Sequence, residues 1–100
     1  MATFLVSFDL KYDSDYSDRY TSFMEQVKKG AKYWDDTTSF LVVENSEDID
    51  AFCHRIYVSS KFNSTKDLYL VLDANVKSGR IRGAIKSQTI FTLLPFVKKL

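Results

Sequence analysis

Thr3-Phe4-Leu5-Val6-Ser7-Phe8-Asp9 is the stretch whose reading decides the fold. Its side chains alternate, so Phe4, Val6 and Phe8 share one face of a strand while Thr3, Leu5, Ser7 and Asp9 share the other. A segment this apolar reads as a central strand, and Asp, a poor strand former, sits at its C-terminal end where a loop begins. That position makes Asp9 a candidate site residue.

Outward from this strand, Leu10 to Asp15 is a polar, acidic loop in which Ser14, Asp15 or Ser17 can cap a helix. Tyr16, Tyr20, Phe23, Met24 and Val27 recur at helical spacing, which predicts a helix over 16–29 with Tyr16 and Tyr20 in the core. Lys28 and Lys29 suit its negative end, and Gly30 suits the position after it. Ala31–Trp34 and Ser39–Glu44 read as a hairpin around Asp35-Asp36-Thr37, with Phe40 and Val42 facing one way and Leu41 and Val43 the other. A strand apolar on both faces is covered on both sides, and a second subunit is the simplest second cover.

Ser46 is expected to open a second helix, with Glu47, Asp48 and Asp50 in its first turn and Ile49, Phe52, Cys53 and Ile56 on its buried stripe. His54 lies off that stripe without a metal-ligand companion, so it is expected to face solvent. Asp67–Asp73 reads as a further strand with Leu68, Leu70 and Leu72 on its core face. Lys77-Ser78-Gly79-Arg80-Ile81-Arg82-Gly83 reads as a basic segment bracketed by glycines, and the tail as a short helix begun at Thr92 with Pro95 in its first turn.

The order β-α-β-β-α-β predicts an α+β, ferredoxin-like sandwich: a four-stranded antiparallel sheet, two helices on one face and a short C-terminal helix, in one domain over residues 1–100. The opening strand then lies between the third and fourth strands, and Asp9 comes beside Asp67, both carboxylates on the face away from the helices. Ser7 points to that same face. Two carboxylates there can share a Mg²⁺, which takes oxygen ligands and can orient a phosphodiester and activate water.

The one cysteine, Cys53, precludes an intramolecular disulfide and falls on an apolar stripe, as a small buried side chain would. No apolar run spans a bilayer, and no basic leader precedes the first strand, so a cytoplasmic protein away from membranes is expected. The net charge of +1 hides a division: residues 1–50 carry eleven acids and five bases, whereas residues 51–100 carry two acids and nine bases. The basic half permits contact with RNA or DNA, with Arg80, Arg82 and Lys77, joined by Lys86, as candidate phosphate ligands; an exposed loop whose charges serve only solubility is an equal reading of these residues. Complementary halves pairing within a dimer, or simply a solvated surface, is at least an equal reading of the same division. No Walker A loop, nucleophile elbow, H-E-x-x-H or C-x-x-C motif is present, and the third strand lacks the RNP1 pattern of RNA-recognition motifs.

Phe4-Leu5-Val6-Ser7-Phe8-Asp9-Leu10, the Trp34–Val42 hairpin, Ser46 before the second helix and Lys66-Asp67-Leu68-Tyr69-Leu70-Val71 together resemble the SinR-like family of small bacterial proteins. That group is related in fold to the CRISPR-associated adaptation endonuclease subunit and to VapD-type toxin ribonucleases. The resemblance implies a ferredoxin-like homodimer, with Asp9 of each copy as the metal-binding and catalytic residue of a Mg²⁺-dependent endoribonuclease. Ser7 and Asp67 would support it. The alternative class is a non-catalytic interaction module, a regulator of toxin–antitoxin or phage type, whose sheet face binds a protein.

Overall fold

A computed structural model describes residues 1–100 as an α+β fold built on one six-stranded sheet. In chain order the elements are β1 (Ala2–Asp9), α1 (Tyr16–Lys28), β2 (Lys32–Trp34), β3 (Phe40–Asn45), α2 (Ile49–Ser59), β4 (Leu68–Asp73), β5 (Gly79–Gly83), α3 (Thr89–Leu93) and β6 (Val97–Lys99). The sheet order is β2-β3-β1-β4-β5-β6. As expected, β1 lies inside the sheet between β3 and β4, antiparallel to both.

Two additions separate this sheet from four antiparallel strands. The basic Gly-bracketed segment, read as a loop, is strand β5, antiparallel to β4. The tail then returns beside β5 as β6, in parallel, so the sheet is mixed. Only Thr89–Leu93 of the tail is helical, and it starts earlier and stops sooner than the spacing predicts. Pro95 is the reason: it disfavours helical backbone at the residue before it, and Leu94 leaves the helix at φ −129° and ψ 80°.

Local chemistry accounts for the helices. In α1, Gly30 takes φ +65° just after the C-cap Lys29, as a residue without Cβ does readily. In α2 the N-cap is Asp48, whose carboxylate accepts from Ala51 N at 2.8 Å, and not Ser46, which lies outside the helix. Glu47 is likewise outside the first turn and binds Arg55 instead.

Both long helices pack on one face of the sheet. Phe4 stacks on Phe52 of α2 at 4.8 Å, and Phe8 meets Phe23 of α1 at 5.0 Å. Leu41, Val43, Tyr69, Val71, Val27 and Ile56 complete this core without solvent exposure. Cys53 is in it, and burial pushes its thiol up to about 12, so it is an inert packing group. His54 faces solvent as expected, whereas Tyr16 is only half-buried and Tyr20 is exposed. No helix is long and apolar enough to cross a membrane.

The face of β4 is the reverse of the one read from its leucines. Asp9 pairs in register with Leu68, not Asp67, so Leu68, Leu70 and Leu72 share the open face with Asp9, Ser7 and Leu5. Tyr69 and Val71 enter the core, and Asp67 goes with them. A shift of one residue exchanges the two faces of a strand.

Candidate functional site

At the end of β1 the open face carries Asp9 and, two residues earlier, Ser7. The Asp9 side chain is 69 % exposed, and its one cationic neighbour is Lys86, with Nζ 3.8 Å from Oδ2. Both line a shallow apolar cavity of about 310 Å³, walled by Leu68, Leu70 and Ile81 of the sheet and by Ile85 and Ile90 of the tail. The tail therefore covers part of the open face itself, a role that the sequence reading assigned to a second subunit. Leu5, Val42, Leu70 and Leu72 remain only half-buried.

Asp67 belongs to a different construction. It is completely buried on the helix side, where Oδ1 accepts from Lys11 N at 2.9 Å, and Oδ2 accepts from Arg19 Nε at 2.9 Å and Asn63 N at 3.0 Å. Those donors occupy its oxygens, so Asp67 supports the polypeptide and not Asp9. Arg19 continues the network to Asp13 at 2.8 Å, to Asp15 and to the carbonyl of Lys11. Arg19 was legible in principle: it stands one turn before Phe23 and two before Val27 on the stripe that α1 buries, and a buried guanidinium requires an acidic partner.

The basic residues of β5 also point to the helix side, across the sheet from Asp9. Arg80 pairs in register with Val71, and Arg82 with Tyr69. Arg80 Nε lies 2.6 Å from Asp50 on α2, and this contact holds the Asp50 carboxyl below the usual carboxylate range. Arg82 has no carboxylate; its guanidinium stacks 3.9 Å above the Tyr57 ring, with Nη1 buried and without a hydrogen-bond acceptor. Lys77 is exposed in the turn between β4 and β5, at the end of the sheet opposite Asp9. The structure thus brings Ser7, Asp9 and Lys86 together and separates them from Asp67, Arg80, Arg82 and Lys77.

One chain gathers no set of three His, Cys, Asp or Glu side chains able to hold a metal ion. Asp9 offers a single carboxylate with the Ser7 hydroxyl on the same face, whereas Mg²⁺ is held by one or two carboxylates together with waters and phosphate oxygens. A second carboxylate at this position has to come from a second molecule. Comparison with protein-family models, with curated proteins and with solved structures returned no match.

Proposed function

We propose that this chain works as a homodimer joined through its open sheet face, binding nucleic acid and cleaving RNA with Mg²⁺ held by the two Asp9 carboxylates. In this reading β1 to β4 with α1 and α2 form a ferredoxin-like unit, and β5, α3 and β6 extend it. The observation that carries the proposal is the exposure of Asp9 at the end of a central strand whose open face is lined by half-buried Leu5, Val42, Leu70 and Leu72.

Two copies related by a twofold axis present the same patch to each other, so an apolar strip with both signs of charge at its margins suits itself. Glu44 and Asp9 supply the acids, and Lys32 and Lys86 the bases. The bound cation would orient the phosphodiester and lower the pKa of an attacking water. Around it, Ser7 would position the phosphate or water, and Lys86, freed from Asp9 by the metal, would balance phosphate charge. That exchange is cheap, because an exposed ion pair at this separation is worth no more than about 1 kcal/mol. Lys77, exposed and without a carboxylate partner, remains for more distant phosphates, while the charge of Arg80 is already balanced by Asp50 and Arg82 is stacked on Tyr57 on the helix side.

A second reading, a non-catalytic protein-interaction module, is favoured by the apolar character of the open face and by the engagement of Arg80. Three measurements separate the two: mass in solution by light scattering, RNA cleavage with and without Mg²⁺, and the salt dependence of RNA binding. The proposal expects a dimer, cleavage only with Mg²⁺, and affinity that falls steeply as salt displaces phosphate contacts. Asp9→Ala is expected to stay dimeric and stop cutting, and Val42→Lys to become a folded monomer. Equal cleavage by wild type and Asp9→Ala, or none by either, rejects the nuclease and leaves the interaction module.

A further inference from the structure

On the helix side of the sheet, a cleft of about 410 Å³ opens between α1 and the turn that joins β2 to β3. Its size is that of a small-molecule site, typically about 300–1,000 Å³. Two chemistries meet in it. Tyr12, in the loop before α1, forms a ladder with Tyr16 and Tyr20 of that helix, with ring centroids 5.0 Å and 5.7 Å apart, and the last two line the cleft. Facing them, the turn contributes Asp35 and Asp36.

One corner of the cleft already holds a cation belonging to the chain. Lys28 Nζ lies 2.6 Å from the Asp35 carboxylate and 4.8 Å from the centroid of the Tyr33 ring. The hydrogen bond that Lys28 donates to Asp35 raises the Lys28 pKa, and burial opposes it only in part. A carboxylate and a ring together therefore hold an ammonium here, as electrostatics and the ring quadrupole favour. Asp36, the next residue, forms no ion pair, and no cation lies over Tyr16 or Tyr20.

We infer that this cleft binds a small aliphatic di- or polyamine, with one ammonium on Asp36 and the alkyl chain along Tyr16 and Tyr20. Two carboxylates against one lysine leave the cleft with net negative charge, which disfavours phosphate and separates it from any nucleic-acid path. It also lies on the other side of the sheet from Asp9, so the inference stands independently of the nuclease proposal.

The test is titration of the ¹⁵N-labelled protein with putrescine and with spermidine, against KCl of matched ionic strength. Saturable shifts confined to residues around the cleft are expected, with at least a fivefold weaker affinity in Asp36→Asn and no change in Asp18→Asn, an exposed acid of α1 outside the cleft. Shifts reproduced by KCl, an unchanged affinity in Asp36→Asn, or equal weakening in Asp18→Asn would each overturn it. Asp36→Asn is expected to match the wild type in any RNA cleavage that the wild type shows, so failure here does not touch the role of Asp9.

Discussion

Arg19, with 3 % of its side chain exposed, ties the loop after β1, the first turn of α1 and the start of β4 into one unit. Asp67 is the group it depends on most, because no solvent reaches that carboxylate to replace a lost partner. In Asp67→Asn an amide N–H₂ replaces an oxygen that now accepts from Lys11 N or from Arg19 and Asn63. The expected loss is about 3 kcal/mol in urea unfolding, the low end for a broken buried pair because Asp13 still holds Arg19. A loss below about 1 kcal/mol would show that Arg19 re-pairs freely. Asp13 predicts a pH dependence of its own. Hydrogen bonds from Lys66, then from Arg19, hold its carboxyl well below the ordinary 3.8. A depressed folded pKa means that the unfolded chain takes up a proton that the folded chain refuses. The stabilisation is therefore present above the unfolded value and lost as pH falls below it toward the folded one. Glu47 beside Arg55 and Asp50 beside Arg80 act in the same direction. The melting temperature is expected to change little between pH 7 and pH 5 on account of these groups and to fall below about pH 4. Asp13→Asn should flatten that fall, and an unchanged slope would refute the assignment.

Among the elements, β5 holds the main surprise, and its last glycine explains it. Gly83 reads in the sequence as a loop residue, yet it is paired with Leu68 in the sheet. Its φ is +120°, and a Cβ there would stand 1.9 Å from the carbonyl oxygen of Asp67. The residue is a point of close backbone approach, set directly beside the Arg19–Asp67 network. Gly30 offers the contrast: its φ is +65°, but nothing lies within 4 Å of an added Cβ. Gly30→Ala is expected to cost only the left-handed backbone penalty, about 1–2 kcal/mol. Gly83→Ala adds a backbone clash and is expected to cost upwards of about 3 kcal/mol, or to prevent folding. Thermal unfolding of the two variants side by side checks this, and equal losses would mean that β5 can move away from β4. The tail follows the same logic of local signals overruled. Apolar residues at 90, 93, 94, 97 and 100 suggest one helix, but Pro95 divides them, and Val97 is buried beside β5 with Lys98 and Lys99 left in solvent. Lysines on that outer strand also discourage another strand from adding to it.

For the whole molecule, the division of charge between the two halves is partly balanced inside the chain. Asp50 meets Arg80, Asp13 and Asp15 meet Lys66, and Asp9 meets Lys86, each pair joining the acidic half to the basic one. The interleaved strand order brings these groups together. The open face is shared in the same way, with the tail over β4 and β5 and half-buried apolar residues left on β1, β3 and β4. The sequence by itself determined the helices 16–28 and 49–59 to within a few residues, the central place of β1 and the exposure of Asp9. It could do so because hydrophobic period and capping residues act over one or two turns of chain. Only the tertiary structure decided that Asp67 is a buried ion-pair partner, that Arg80 and Arg82 lie across the sheet from Asp9, and that the Gly-bracketed segment is a strand. Alternation reveals which residues share a face, but which face meets the helices depends on the register with a neighbouring strand. That register is a contact between Asp9 and Leu68, distant in sequence, which no local pattern encodes.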